Sequence, residues 1–492
     1  MDFLDPAKQR RHTILLMIGY VLIAIAIAIS TLVLIWQANG FSVNGKGQVV
    51  QSGFVFVSSQ PSGARIYLNN TLQSAKTGAR IKVPSGAYTL KLTRTGYHNW
   101  SHPLGVVGGD VQHFDYPFLF PLKLDTTSTV DLPAATGVTA QSPDRRWLLV
   151  QQKDTNTFDF YDVKDPKSIP APDELAVPAT AIDEPNIAHT WSVVSWAGDN
   201  QHVLMAHTVS SGTEYVLLDR TDAGKTVNLN TLFKLAPANL ALLNTKYNQF
   251  SILSADGVLS TATLDNPELV QMATGVLSYK TYNANQVVYA TATDAPAGKV
   301  NILLQDDDRS YLIRTLAADT TYLLDMASYR GTPYVIAGSA ADGAVYTYKD
   351  PEAQLRSDNT LKSPSALSVL RVKGATYESF SPTAQYVVVE NGTSFGVQDL
   401  YLHRFRYYTA AGTLDAPQAH AKWMDGNRLT YVSDGKFTVM DFDDRNPQTL
   451  MAATADAGAF FAPDYKYVYA LNTDAAGAVH LVQTSLLTAA DR

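Results

Sequence analysis

The sequence contains a serine motif with the spacing of a hydrolase nucleophile. Gly392, Ser394 and Gly396 form the pattern G-x-S-x-G, which in hydrolases places the serine on a sharp turn from a strand into a helix. Here the motif stands between YVVVE and VQDLYLH, two apolar runs that are typical of strands. We therefore predict an ordinary hairpin at this motif and no catalytic residue.

A second motif, between Gly40 and Gly47, nearly matches a phosphate-binding loop. That loop requires a hydroxyl residue directly after its lysine, to hold Mg²⁺, and it follows a strand. Here Gly47 follows Lys46, and the segment before the motif is a long apolar run. The sequence therefore favours a flexible stalk over a nucleotide site.

Metal-ligating residues are present without the spacing of a metal site. The chain has no cysteine, which excludes thiolate zinc sites, iron–sulfur clusters and disulfides. Its ten histidines include no H-E-x-x-H pair, and His202 and His207 fall near the two ends of one strand-like run. The aspartate clusters at 306–308 and 441–444 lack a spaced calcium loop, so solvated turns are expected there. We predict no metal or other cofactor.

A group of aromatic residues is the candidate binding site. Tyr97, His98 and Trp100 are close in sequence, and Tyr67 precedes them in the same small module. Together they could stack on sugar rings; alternatively, Tyr97 and Trp100 fill the core of a small sandwich, which needs large side chains. The net charge is −7 and no basic patch with interleaved aromatics occurs, so we predict no nucleic-acid partner.

The elements that position these residues are predicted to be β-strands. Among the 492 residues, 46% are hydrophobic, only 17% are charged, and 26 are tyrosines. Tyrosine, threonine and valine favour strands, and this apolar content can bury a large core. We therefore expect an all-β protein.

An apolar run near the N-terminus predicts a membrane anchor. Residues Ile14 to Ile35 carry no charge, and as a helix they would span about 33 Å, enough for a hydrocarbon core of about 30 Å. The basic residues Lys8, Arg10 and Arg11 precede the run. By the positive-inside rule, residues 1–13 are cytoplasmic, 14–36 cross the membrane with Trp36 at the interface, and the rest is extracytoplasmic. A cleaved signal peptide is the alternative, but the run exceeds the usual signal length.

A stalk and a small module follow. Residues 37–52 are rich in Gly, Asn, Gln and Ser, as flexible linkers are. In 53–124, the segments PSGARIYLN (61–69), VPSGAYTL (83–90) and GYHNW (96–100) alternate strand patterns with turns, and the second strand of the last hairpin is expected to run from Ala87 to Trp100. These segments resemble the PEGA domain, with Ser85 replacing the glutamate that gives the family its name. The resemblance implies an extracytoplasmic β-sandwich of bacterial or archaeal type.

Residues 137–492 repeat a unit of paired strands about every 46 residues. Asp-Gly pairs at 256, 342 and 434 predict hairpin turns within the units. This period predicts a β-propeller of seven or eight four-stranded blades, and a tandem of β-sandwiches is the alternative. Ser-Pro-Asp at 142, Ser-Pro at 381 and Pro-Asp at 463 resemble the repeats of TolB-type and dipeptidyl-peptidase-type propellers. Two insertions, Asp165 to Ala188 and Asp350 to Leu367, are expected to be irregular loops.

Three functions fit these modules. The first is a non-catalytic, membrane-anchored binding or scaffold protein that contacts cell-envelope polymer or envelope proteins. The second is a hydrolase or lyase with a site at the mouth of the propeller channel, assembled from one residue per blade and invisible to local motifs. The third is a sensor ectodomain, which would need a partner to signal because its cytoplasmic tail is short. Of these three, we predict the first function, a non-catalytic binding or scaffold protein.

Overall fold

The computed structural model divides the chain into two compact units, Met1–Lys123 and Leu124–Arg492. It describes residues 6–38, 41–43, 49–132, 136–185, 190–283, 285–307, 309–358, 360–410, 412–414, 420–453, 458–474 and 477–492.

The first unit begins with helix α1 (Pro6–Ala38). Its segment Arg10–Gln37 is long and apolar enough to cross a membrane, and none of its most apolar stretch is buried against the protein. Such an exposed apolar surface is compatible with a membrane anchor or with a signal peptide. The side chain of Lys8 lies outside the described residues; Arg10 and Arg11 are exposed.

Eight strands follow in the first unit and form two sheets. They are β1 (Phe41–Val43), β2 (Val49–Val57), β3 (Arg65–Leu68), β4 (Thr71–Lys76), β5 (Ala79–Pro84), β6 (Gly86–Thr93), β7 (Trp100–Val106) and β8 (Val111–Phe114). One sheet joins β1, β2 and β5, with β8 also paired to β2, and the other has the order β4-β3-β6-β7.

The two sheets share one core. Along β5, Ile81 and Val83 are buried while their neighbours are not, because successive side chains of a strand point to opposite faces. They belong to the same cluster as Leu90 and Trp100 of the second sheet. The strand expected from Ala87 to Trp100 is interrupted: β6 ends at Thr93, and a turn with Gly96 at φ +84° separates it from β7.

The second unit opens with strand β9 (Asp125–Asp131) and then forms successive four-stranded antiparallel sheets. Sheet 1 contains β10 (Thr136–Gln141), β11 (Trp147–Gln152), β12 (Thr157–Asp162) and β13 (Asp173–Ala176). Sheet 2 contains β14 (Thr190–Trp196), β15 (His202–Val209), β16 (Gly212–Asp219) and β17 (Val227–Asn228). Sheet 3 follows helix α2 (Leu229–Phe233) and contains β18 (Asn239–Leu242), β19 (Gln249–Leu253), β20 (Leu259–Thr263) and β21 (Val270–Ala273). Sheet 4 contains β22 (Val276–Thr281), β23 (Gln286–Thr291), β24 (Lys299–Asp306) and β25 (Arg309–Ala317).

The remaining sheets repeat this order. Sheet 5 contains β26 (Tyr322–Tyr329), β27 (Thr332–Ser339), β28 (Ala344–Lys349) and, after helix α3 (Pro351–Ser357), β29 (Ser368–Leu370). Sheet 6 contains β30 (Tyr377–Phe380), β31 (Tyr386–Glu390), β32 (Ser394–Asp399) and β33 (Arg404–Thr409). Sheet 7 contains β34 (Lys422–Trp423), β35 (Arg428–Ser433), β36 (Lys436–Asp441) and β37 (Gln448–Ala452). Sheet 8 contains β38 (Ala459–Phe461), β39 (Tyr467–Thr473) and β40 (Val479–Ser485), and its fourth strand is β9.

Strand β9 closes the ring of sheets. It pairs antiparallel with β40, from Asp125 opposite Ser485 to Asp131 opposite His480. Side chains of sheet 8 then share a core cluster with Leu148 of sheet 1. Since the first and last sheets pack on each other and every sheet of this unit has four antiparallel strands, the unit is a closed β-propeller. The repeat predicted from residue 137 onward does not include this strand.

The predicted turns and insertions have definite structures. Gly392 has φ +84° and joins β31 to β32, so the G-x-S-x-G motif is the predicted hairpin, and Ser394 is the first residue of a strand. Gly257, Gly343 and Gly435 also have positive φ at the predicted Asp-Gly turns. The two insertions are not wholly irregular: the first contains β13 and the second contains α3.

Candidate functional site

The first strand of each sheet lies toward the propeller axis. β10, β14 and β18 contact one another in succession, and so do β22, β26 and β30, whereas β9 closes the ring as an outermost strand. Side chains on the first strands can therefore face a central channel, which in many propellers is where ligands bind.

Charged residues on three successive first strands come together in this channel. Lys280 lies on β22, Asp325 on β26 and Glu378 on β30. The Lys280 Nζ atom is 3.3 Å from Asp325 Oδ1, and 53% of the lysine side chain is accessible, against 14% for the aspartate. The pair is therefore a salt bridge between two neighbouring first strands, and about half of the lysine side chain remains accessible.

Glu378 is the unusual member of this group, which we name the channel triad (Lys280, Asp325 and Glu378). Within the described residues, its Oε2 atom is buried and has no hydrogen-bond partner. Burial, reinforced by the negative charge of Asp325, raises the pKa of Glu378 to about 8, although Lys280 opposes the shift. Burial lowers the pKa of Lys280, but the charges of Asp325 and Glu378 outweigh it and the net direction is upward. Near neutral pH, Glu378 therefore keeps its proton beside the Lys280–Asp325 salt bridge.

A histidine and two further side chains extend the site. The ring of His420 stacks on Tyr377 with centroids 4.1 Å apart, and its Nδ1 lies 2.9 Å from the buried carboxylate of Glu390. On the opposite side of the triad, the hydroxyl of Tyr279 donates to Asn239 Oδ1 at 3.0 Å. Stacked aromatic rings and a tyrosine hydroxyl therefore lie on the two sides of the charged residues.

The aromatic residues predicted from the sequence lie in the first unit and differ in exposure. Tyr97 and Trp100 are 3% and 1% exposed and belong to the core of the sandwich. Tyr67 is half-buried beneath Lys91 Nζ, which lies 5.1 Å from its ring centroid. His98 is also half-buried. The structure therefore does not join the four in one exposed platform, and only Tyr67 and His98 present part of their side chains to solvent.

The other chemistry-bearing residues have structural surroundings. His207 is fully buried, stacks on Trp191 and lies 2.5 Å from Glu214 Oε1. His202 stacks on Tyr247 and contacts Asp199 at 2.6 Å. Within the described part of the chain, no three His, Asp or Glu side chains are grouped to hold a metal ion; His189 and Asp308 lie outside that part.

Sequence motifs could not show the channel triad because its members are far apart in the chain and each is an ordinary residue of its own strand. One signal was available: the three residues recur at spacings close to the repeat period. A charge on the first strand of several repeats is unusual, since the sheets themselves are apolar.

The sequence of the small module matches a known family. Residues 52–119 match the family model of the PEGA domain. This module is a PEGA domain. The rest of the chain is outside that match, and a search of curated protein sequences finds no match to the chain.

Several solved structures are similar to this chain at low sequence identity. The C-terminal WD40 domain of Sif2 has a TM-score of 0.49 at 10% identity, covering 74% of this chain and 99% of that one. The β-propeller domain of Cps50 (Swd1) from Myceliophteria thermophila has a TM-score of 0.39 at 12% identity, covering 65% and 97%. Hsv2 from Kluyveromyces lactis has a TM-score of 0.38 at 11% identity, covering 71% and 98%. The propeller architecture of this chain itself follows from its strand pairing.

Proposed function

We propose that the protein is a membrane-anchored, extracytoplasmic binding protein that holds its propeller against cell-envelope polymer or envelope proteins. The order of the modules carries this proposal: an apolar helix comes first, a PEGA domain second and a closed propeller third. PEGA domains are of extracellular type, so the module next to the helix favours export of everything that follows it.

The charge distribution supports the same orientation. Lys8, Arg10 and Arg11 precede the apolar segment, and the next basic residue is Lys46. Basic residues are retained on the cytoplasmic side, so this asymmetry favours a cytoplasmic N-terminus and an exported propeller. The lack of cysteine is compatible with an oxidising compartment, where free thiols are a liability.

The channel triad is the part of the propeller best suited to contact a ligand. The Lys280–Asp325 salt bridge and the carboxyl group of Glu378 are complementary to the hydroxyl, amide and charged groups of a glycan or peptide. A buried polar group without a partner, such as the Oε2 atom of Glu378, has already lost its hydrating water. A new hydrogen bond to a ligand therefore contributes more binding free energy there than at a solvated group.

Co-sedimentation with purified cell-wall sacculi tests the proposal. The full-length protein in detergent micelles is incubated with sacculi at physiological salt, with heat-denatured protein as the control. Saturable binding that weakens in Lys280→Met, and is retained in the exposed control Lys153→Met, supports a wall-binding propeller. Absence of saturable binding, together with absence of crosslinked envelope proteins in intact cells, contradicts the proposal.

The second candidate is an enzyme with its site in the channel, and the raised pKa of Glu378 favours it. A carboxyl group that stays protonated near neutral pH can act as a general acid. In that case, incubation with sacculi releases soluble fragments, Glu378→Gln abolishes the release, and the exposed control Glu268→Gln does not. Intact sacculi after prolonged incubation count against a wall-degrading activity.

A further inference from the structure

Three sheets of the propeller use the same turn between their third and fourth strands. In each, the third strand ends with an aspartate whose Oδ1 accepts a hydrogen bond from the backbone N–H two residues later. The pairs are Asp162 with Lys164 at 3.0 Å, Asp219 with Thr221 at 2.9 Å, and Asp399 with Tyr401 at 2.8 Å. Such a local bond fixes the turn and holds the following side chains in place.

The turn of sheet 6 displays large apolar side chains where its counterparts display polar ones. Tyr401 is 53% exposed and Leu402 is 50% exposed. The counterparts of Leu402 in sheets 1 and 2 are Asp165 and Asp222. The turn therefore forms equally well with polar residues, and folding alone gives no reason for the tyrosine and leucine.

The surroundings of this turn are basic and aromatic. The guanidinium carbon of Arg330 lies 4.3 Å from the ring centroid of Tyr401, and Arg404 and Arg406 are exposed on the strand that follows. Phe405, between them, is 39% exposed. We name this group the sheet-6 patch (Arg330, Tyr401, Leu402, Arg404, Phe405 and Arg406). Its three positive charges contrast with the net charge of −7 of the whole chain.

We propose that the sheet-6 patch docks on the surface of an anionic lipid bilayer. Aromatic and leucine side chains at a turn insert into the headgroup region, and neighbouring arginines pair with lipid phosphates; each supplies part of the binding free energy. Three arginines beside exposed apolar side chains match a surface that has anionic headgroups over an apolar interior, which favours a lipid bilayer as the occupant. The inference rests on the proposed membrane anchoring, which keeps the propeller within reach of a bilayer.

The absence of native cysteine makes a site-specific test simple. Single cysteines replace Leu402, a residue of the equivalent turn in sheet 2 (Thr221→Cys, at the position that corresponds to Tyr401) and a residue in the middle of α1 (Ile25→Cys) in the full-length protein. Each carries the same environment-sensitive fluorophore. The protein is placed in nanodiscs of phosphatidylglycerol and phosphatidylethanolamine, with and without a lipid-attached quencher, and in nanodiscs of phosphatidylcholine alone.

The expected result is a blue shift and a loss of fluorescence to the quencher at position 402 in anionic nanodiscs, a smaller loss in phosphatidylcholine, and none at 221. Combined replacement of Arg330, Arg404 and Arg406 by glutamine should abolish the loss at 402. If 402 is as solvent-exposed as 221 while position 25 is quenched, the lipid-docking proposal is wrong and the anchor stands. If position 25 is not quenched, the membrane anchor is contradicted. Quenching at position 402 would in that case still support lipid docking by the sheet-6 patch. If neither position is quenched, the anchor and the docking proposal are both wrong.

Discussion

At the residue scale, the decisive feature is how burial changes the chemistry of single side chains. Glu378 stands beside an accessible lysine in the channel, yet one of its carboxyl oxygens is buried without a hydrogen bond in the described part of the chain. Trp100 and Tyr97 could have served a binding surface, yet they lie in a core. The sequence identifies residue types that can do chemistry; their burial depends on strands that are distant in the chain.

Replacement of Glu378 by glutamine should change how stability depends on pH. The folded-state pKa of Glu378 is about 8, above its ordinary value of 4.5, so the folded protein binds its proton more tightly than the unfolded chain does. Its contribution to stability is therefore fully present below pH 4.5 and is lost as pH rises to about 8. The free energy of unfolding of the wild type therefore falls between pH 4.5 and 8. In Glu378→Gln, which cannot titrate at this position, we expect that fall to be smaller by about 1–3 kcal/mol.

Chemical denaturation of both proteins at pH 4.5, 6.5 and 8.5 measures this difference, with Glu268→Gln as an exposed control. Parallel pH profiles for the wild type and Glu378→Gln would contradict the burial of the ionisable group.

Replacement of Trp100 by alanine should unfold or strongly destabilise the PEGA domain. The side chain is 1% exposed and contacts the rings of Phe114 and Tyr116, so its loss leaves a cavity and costs about 3–5 kcal/mol. Thermal unfolding of the variant, followed by far-ultraviolet circular dichroism, tests this prediction. Tyr67→Ala, which removes a half-buried side chain of the same domain, is the comparison. An unchanged unfolding transition in Trp100→Ala would indicate that the residue is available for a ligand.

At the element scale, the sequence predicts best the strands that are buried on both sides. Several central strands contain short apolar runs that are fully buried, such as WLLV in β11 and YVVV in β31. Strand β9 (DTTSTVD) carries no such sequence signal, because its side chains are exposed or half-buried and it has no apolar alternation. Its strand conformation comes from pairing with β40, more than 300 residues away in the chain.

Disruption of β9 should open the ring. Successive N–H groups of a strand point to opposite sides, so a double substitution of Thr127 and Ser128 by proline removes a ladder hydrogen bond whichever residue faces β40. We expect a loss of about 3 kcal/mol or more, and the double alanine variant should remain close to wild type. Urea denaturation of both double variants measures the difference; equal midpoints would show that β9 does not hold the propeller closed.

At the scale of the whole molecule, the order of modules is the part of the function that the sequence predicts. The apolar helix, the PEGA motifs and the propeller period are all local or periodic signals, and the structure confirms the all-β architecture after the helix. The channel triad and the sheet-6 patch are not local signals. They arise because the ring brings together residues that the chain separates by whole repeats.

The central claim is that the propeller is extracytoplasmic and tethered by α1, and the orientation of the chain tests it most directly. Single cysteines at Asp2 and at the exposed residue Lys153 are labelled in bacterial spheroplasts by a membrane-impermeant maleimide, before and after lysis; the native chain contributes no background because it lacks cysteine. The account predicts labelling of position 153 in intact spheroplasts and of position 2 only after lysis. Labelling of position 153 only after lysis would contradict it.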